Sequence, residues 1–163
     1  MANYFHDTAK ISVLASIEVS TKGTNTTIGA NCIIDDFVKI KHVGGDGHIV
    51  LGANVYLNSG CVLYSGSGIT IGNDVLIGPN CSIVPSNHNF ADTTIPIRLQ
   101  KHATSKGGII IEDDVWIGAG VTILDGAIIH KGCVIGANSL VKGELNAYGV
   151  YAGSPIKLIK KRQ

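Results

Sequence analysis

From Ile111 onward the chain places an aliphatic residue at every sixth position: Ile111, Ile117, Ile123, Ile129, Ile135 and Val141. An α-helix repeats at about 3.6 residues and a strand alternates at about 2, so neither produces this beat. A hexapeptide repeat does, and it marks a parallel β-helix. The beat also runs through Ile28, Ile34 and Ile40, through Leu51, Leu57 and Leu63, and through Ile71, Ile77 and Ile83. Each hexad then supplies one short strand and one corner, and three hexads close a triangular coil of about 18 residues. Stacked at the ordinary strand spacing of about 4.8 Å, such coils bury a column of aliphatics that no coil could bury alone. The position after the aliphatic is often Gly, as at Gly52, Gly78 and Gly118, where a sharp corner leaves little room for a side chain.

The composition fits a solenoid. The 163 residues are 45% hydrophobic and 6% aromatic and include 21 glycines, so small residues are available for corners and aliphatics for stacking. The length predicts a single domain over residues 1–163. A net charge of +1 provides no field for nucleic acid. No apolar run reaches the roughly 18 residues of a membrane-crossing helix. Met1–Asp7 lacks the basic and apolar parts of a signal peptide, so the expectation is a cytoplasmic protein with no membrane insertion. Cys32, Cys61, Cys81 and Cys133 each fall four residues after an aliphatic position. That slot elsewhere holds Val38, Val55, Val75, Val115, Val121, Ala127 and Ser139. The cysteines are therefore expected inside the prism as small hydrophobes, not as metal ligands, and no metal is expected.

The interruptions are as informative as the beat. Residues 1 to about 27 read as an irregular entry, with Ile11 and Ile17 hinting at a first coil. Gly44-Gly45-Asp46-Gly47 and Ser65-Gly66-Ser67-Gly68 are short slips. The long excursion runs from about 85 to 108 and carries Asn87-His88. The beat ends near Leu145, leaving a C-terminal segment of about 146–163 in which Ile156–Arg162 is predicted to form a short basic helix beginning beside Pro155. Imidazole titrates near neutral pH and suits general-base work, which makes His88 the first candidate for chemistry.

Three segments carry a family resemblance: Ile69–Asn80, Ile109–Ile123, and Ala152-Gly153-Ser154-Pro155 followed by Lys157 and Lys160. They resemble the hexapeptide-repeat acyltransferases, in particular the maltose/galactoside O-acetyltransferase group and the sugar O-acetyltransferases of surface polysaccharides. The resemblance runs from about Gly52 to the C-terminus. It implies an all-β fold: a left-handed parallel β-helix with one long excursion loop, here closed by the predicted C-terminal helix. It further implies acetyl-CoA as co-substrate, an acetyl group passed to a hydroxyl of a sugar or sugar-containing acceptor, and a homotrimer with active sites between subunits.

By the same resemblance His88 is the general base for direct attack on the thioester, and Asn58 aligns with an asparagine of the acceptor site. Asn87 and Trp116 are further candidates for substrate binding, Trp116 as a wall beside the loop. Ala119 and Ala137 would line the pantetheine path, and Lys142, Lys157 and Lys160 would face the nucleotide end, with Lys160-Lys161-Arg162 adding charge for its phosphates. Where the sugar acetyltransferases carry Thr and two Arg, this chain has three Lys, which supply point charge but no bidentate fork. Asp92 and Glu112 are candidates to orient His88.

Two alternatives stand beside O-acetylation: an N-acetyltransferase of a nucleotide-linked amino sugar, and a non-catalytic hexapeptide scaffold or binding subunit. A γ-class carbonic anhydrase shares the prism, but His6, His42, His48, His88, His102 and His130 lack the close pair and third partner of that class.

Overall fold

The structure, a computed structural model, describes residues 2–163. Its hexads wind into three sheets of seven, eight and six strands, the faces of a triangular prism. Face 1 runs from Tyr4–Phe5 to Glu144–Leu145, face 2 from Lys10–Ile11 to Gly149–Ala152 and the final strand Lys157–Lys161, and face 3 from Ser16–Ile17 to Leu140–Val141. The chain visits faces 1, 2 and 3 in turn, so every coil has a 1–2 edge, a 2–3 edge and a 3–1 edge.

The register sets aliphatic on aliphatic. Ile71 lies between Leu51 and Ile111, Ile77 between Leu57 and Ile117, and Ile83 between Leu63 and Ile123. None of these side chains is more than 1% exposed. A strand of two or three residues sends one side chain inward and its neighbours outward, so burial falls on the sixth-position residue. Cys32, Cys61, Cys81 and Cys133 are free thiols buried in the interior. Burial pushes the Cys32 and Cys133 thiols above their ordinary range, which opposes thiolate chemistry there. Corners on the 1–2 edge use Asn31, Asn54, Asp74 and Asp114 at φ of 57–59°. Asn and Asp tolerate this left-handed conformation better than other residues with a Cβ.

Two expectations need correction. The entry is not irregular: Tyr4–Phe5, Lys10–Ile11 and Ser16–Ile17 place one strand on each face and pair in parallel with the second coil. The second coil offers unpaired backbone groups, and pairing with them satisfies both partners. The C-terminal segment is not a helix. After a turn at Gly153–Ile156, Lys157–Lys161 runs back antiparallel along Gly149–Ala152. A helix this short is marginal in water, whereas the outer edge of the last face 2 strand offers a row of free donors and acceptors.

The slips and the long loop leave the prism at one place, the 3–1 edge, and stack there. The Gly66 N–H donates to the Val43 carbonyl at 2.9 Å and the Ser67 N–H to the Pro85 carbonyl at 3.1 Å. Among the described residues the helical element is a 3₁₀ turn at Ile97–Leu99, and no helix is long and apolar enough to cross a membrane.

Candidate active site

The loop is built from its two legs inward. The outgoing leg packs its Pro85 over the Gly66-Ser67 slip. The returning leg is held by Asp125, only 5% exposed. Its carboxylate accepts from the Lys106 N–H at 2.7 Å, the Gly108 N–H at 3.0 Å and the Ser105 hydroxyl at 3.2 Å. Between the legs a short antiparallel neck pairs His88 with His102. The Asn89 amide donates to the Gln100 and His102 carbonyls at 3.1 and 3.2 Å. His88 and Asn87 are exposed on this neck.

A second group of candidates shares the 2–3 edge. Asn58 follows Leu57, Ala119 follows Ile117-Gly118, and Ala137 follows Ile135-Gly136, all on the same edge in different coils. The Asn58 Nδ2 donates to the Ile77 carbonyl at 2.9 Å, so one of its N–H groups serves the prism while its oxygen faces outward demands. The coils approach closely here: a Cβ on Gly78 would stand 2.7 Å from the Ala119 nitrogen, and one on Gly118 2.7 Å from the Ala137 nitrogen. Ala119 and Ala137 are exposed, and the edge is a smooth strip of small residues and backbone.

Trp116 does not stand beside the loop of its own chain, because the step from Ile111 to Ile117 carries it to face 2 while the loop leaves at the 3–1 edge. It is 56% exposed. With Val134, Val150, Lys160, Lys161, Arg162 and Gln163 it lines a surface cleft of about 730 Å³. Lys157 and Lys160 lie on the final strand opposite Ala152 and Val150. Lys142 is exposed at the 3–1 edge, the edge of the loop. The Arg162 guanidinium is occupied, donating to Asp114 at 3.0 Å and to the Gly132 carbonyl at 2.8 Å, so it ties down the tail.

Neither acid candidate orients His88. Asp92 accepts from the Thr94 hydroxyl and N–H within the loop tip. Glu112 is on the 1–2 edge, where it meets His130 at 2.9 Å, and His130 meets Glu144 at 2.7 Å on its other side. Glu144 first and Glu112 second hold the His130 imidazole above its ordinary range. His102, Asp125 and the His130 trio escape a reading of spacing. Asp125 carries one signal: it occupies the column of Ser65 and Pro85, all buried, and a carboxylate there needs donors nearby. Among the described residues no three of His, Cys, Asp or Glu stand together as metal ligands would.

Residues 108–143 match the family described as bacterial transferase hexapeptide (six repeats). A probable acetyltransferase of Mycobacterium tuberculosis is 35% identical over 118 residues, 72% of this chain and 39% of its own length. The chain thus spans well under half of that relative. The putative lipopolysaccharide biosynthesis O-acetyl transferase WbbJ of Escherichia coli is 35% identical over 144 residues, 85% of this chain and 70% of its own. The crystal structure of AntD, an N-acyltransferase from Bacillus cereus, in complex with dTDP and 3-hydroxybutyryl-CoA superposes with a TM-score of 0.80 at 27% identity. The match covers 99% of this chain and 83% of that one. The shared fold is the left-handed parallel β-helix.

Proposed function

Because the chain belongs to the bacterial transferase hexapeptide family, we propose that it moves an acetyl group from acetyl-CoA to a hydroxyl of a sugar or sugar-containing acceptor. His88 takes the hydroxyl proton as the oxygen attacks the thioester carbonyl. The carbon–sulfur bond then breaks, and the departing CoA sulfur recovers the proton from the His88 imidazolium. The Asn58 amide oxygen accepts from the acceptor, and its second N–H or the backbone N–H of Ala119 steadies the oxyanion. Pantetheine lies along Ala119 and Ala137, where small residues allow close backbone approach. Lys142, Lys157 and Lys160 meet the phosphates, and Asn87 and Trp116 border the acceptor. The one observation that carries this reading is the contrast between a braced loop bearing His88 and a smooth edge bearing Asn58, Ala119 and Ala137.

The loop and the smooth edge are different edges of one prism, so a site that uses both takes them from neighbouring chains. The working form is therefore a homotrimer, and sedimentation that finds only monomers at micromolar concentration sinks this arrangement. Acetyl-CoA supply and reduced cysteines fit a cytoplasmic enzyme.

A second reading has a specific support. AntD is an N-acyltransferase crystallised with dTDP, so a nucleotide-linked amino sugar is the rival acceptor. The test is CoA-thiol release by wild type and His88→Ala across free, nucleotide-linked and amino sugars. Release that requires both an acceptor and His88 supports the reading and names the acceptor class. A preference for amino sugars moves it to N-acetylation, and full release by His88→Ala removes His88 from the mechanism.

A further inference from the structure

A base on an exposed loop works only if its ring is held, because a misplacement of about 1 Å costs on the order of 10²-fold in rate. Two hydrogen bonds bracket His88 and His102. The Ala103 N–H donates to the Asn87 carbonyl at 2.8 Å, and the Asn89 N–H donates to the Lys101 carbonyl at 3.1 Å. His88 and His102 are therefore a non-hydrogen-bonded antiparallel pair, the arrangement in which opposed residues come closest, with Cα atoms about 4.5 Å apart. Their rings meet across the neck, with centroids 4.6 Å apart and planes tilted by 34°.

The strand that carries His102 is itself fixed. The Asn89 amide donates to carbonyls on either side of Lys101, those of Gln100 and His102. The Gln100 Nε2 in turn donates to the Asp92 carbonyl at 2.6 Å and the Ile95 carbonyl at 3.0 Å. The neck cannot slip in register without breaking this set, so the His102 ring is presented from a braced support. His88 has no comparable side-chain brace from Asp92 or Glu112, whose partners are Thr94 and His130.

We propose that His102 is the positioning residue of the base, its ring face setting the orientation from which the His88 imidazole reaches the acceptor hydroxyl. The proposal rests on the reading of His88 as general base. His102 touches neither acetyl-CoA nor acceptor; what it supplies is an aromatic face, which Phe retains and Ala removes.

The test compares His102→Ala and His102→Phe with wild type, alongside His88→Ala. His102→Ala should lower kcat about tenfold or more with the KM for acetyl-CoA unchanged, and His102→Phe should recover most of that loss. Adding His102→Ala to His88→Ala should cost nothing further. Wild-type kcat in His102→Ala, equal loss in the Ala and Phe variants, or an effect on the acetyl-CoA KM alone each overturns the proposal. The ring contact has its own readout without turnover: the ring-current shift on the His88 Hε1 NMR resonance should vanish in His102→Ala and persist in His102→Phe. An unchanged resonance in His102→Ala overturns positioning even where His88 proves to be the base. Full turnover by His88→Ala, with the resonance still responding to His102→Ala, overturns the base reading and with it the catalytic role given to His102.

Discussion

The Nε2 of His130 donates to Glu144 at 2.7 Å, and the Nδ1 of the same ring meets Glu112 at 2.9 Å. A neutral imidazole has one N–H, so donation to both carboxylates requires the imidazolium. Glu112 belongs to the coil before His130 and Glu144 to the turn after it, so one cation joins successive levels of the prism. Glu112 also accepts from the Lys131 N–H at 2.8 Å.

This trio sets a pH window. The His130 value is raised above its ordinary 6.5, so its contribution is complete below pH 6.5 and is lost as pH rises through the raised value. The Glu112 value is lowered below its ordinary 4.5, chiefly by His130, so its contribution is complete above pH 4.5 and is lost as pH falls through the lowered value. The Tm difference between wild type and His130→Gln should be widest between these two ordinary values and narrow on the alkaline side. A difference that stays constant from about pH 5 to about pH 9 rules the staple out.

Asp125 should be the anchor of the loop's return. Replacing it with Ala leaves the Lys106 and Gly108 N–H groups without their acceptor. The expected cost is about 1–3 kcal/mol, the penalty for unsatisfied buried donors. Denaturant titration measures the stability, and hydrogen exchange should accelerate at Lys106 and Gly108. Unchanged exchange at those amides would show that the leg is held by something else.

Gly118 should resist even Ala. The added Cβ would lie 2.7 Å from the Ala137 nitrogen and 3.0 Å from the Ile135 carbonyl oxygen, backbone atoms that cannot move without shifting a coil. Overpacking of this kind costs about 1–3 kcal/mol. A denaturation midpoint equal to wild type would mean that the coils separate more easily than this spacing implies.

Lys157 and Lys160 should act through charge alone. Both are exposed on the final strand, and neither forms an ion pair in the described structure. Changing both to Ala should weaken CoA binding more at low salt than at high, because the screening length shrinks from about 10 Å at 0.1 M to about 3 Å at 1 M. Calorimetry at two salt concentrations measures this. Equal weakening at both would point to contact packing, and no weakening would move the phosphates elsewhere.

Much of this molecule is legible in one dimension because a solenoid is nearly one-dimensional. Each coil contacts its neighbours, and residues six apart in sequence take equivalent places on adjacent faces. Ile71, Ile77 and Ile83 therefore announce their own burial, and the slot of Cys61 and Cys81 announces its smallness. The C-terminal strand was not legible in the same way. Lys157–Lys161 has no beat of its own, and its conformation answers to the free edge of Gly149–Ala152, which exists only once the prism has formed.

The sequence by itself determined the coil, its interior column and the one loop able to carry a histidine, because those follow from periodicity and from its interruption. Only the tertiary structure decided that the slips and the loop share the 3–1 edge while Asn58, Ala119 and Ala137 share the 2–3 edge. It also decided the pairings of His88 with His102 and of His130 with Glu112 and Glu144. The physical reason is that side-chain pairing depends on which edge each interruption reaches and on the register of the neck. Hydrogen bonds made after the chain has closed on itself set both.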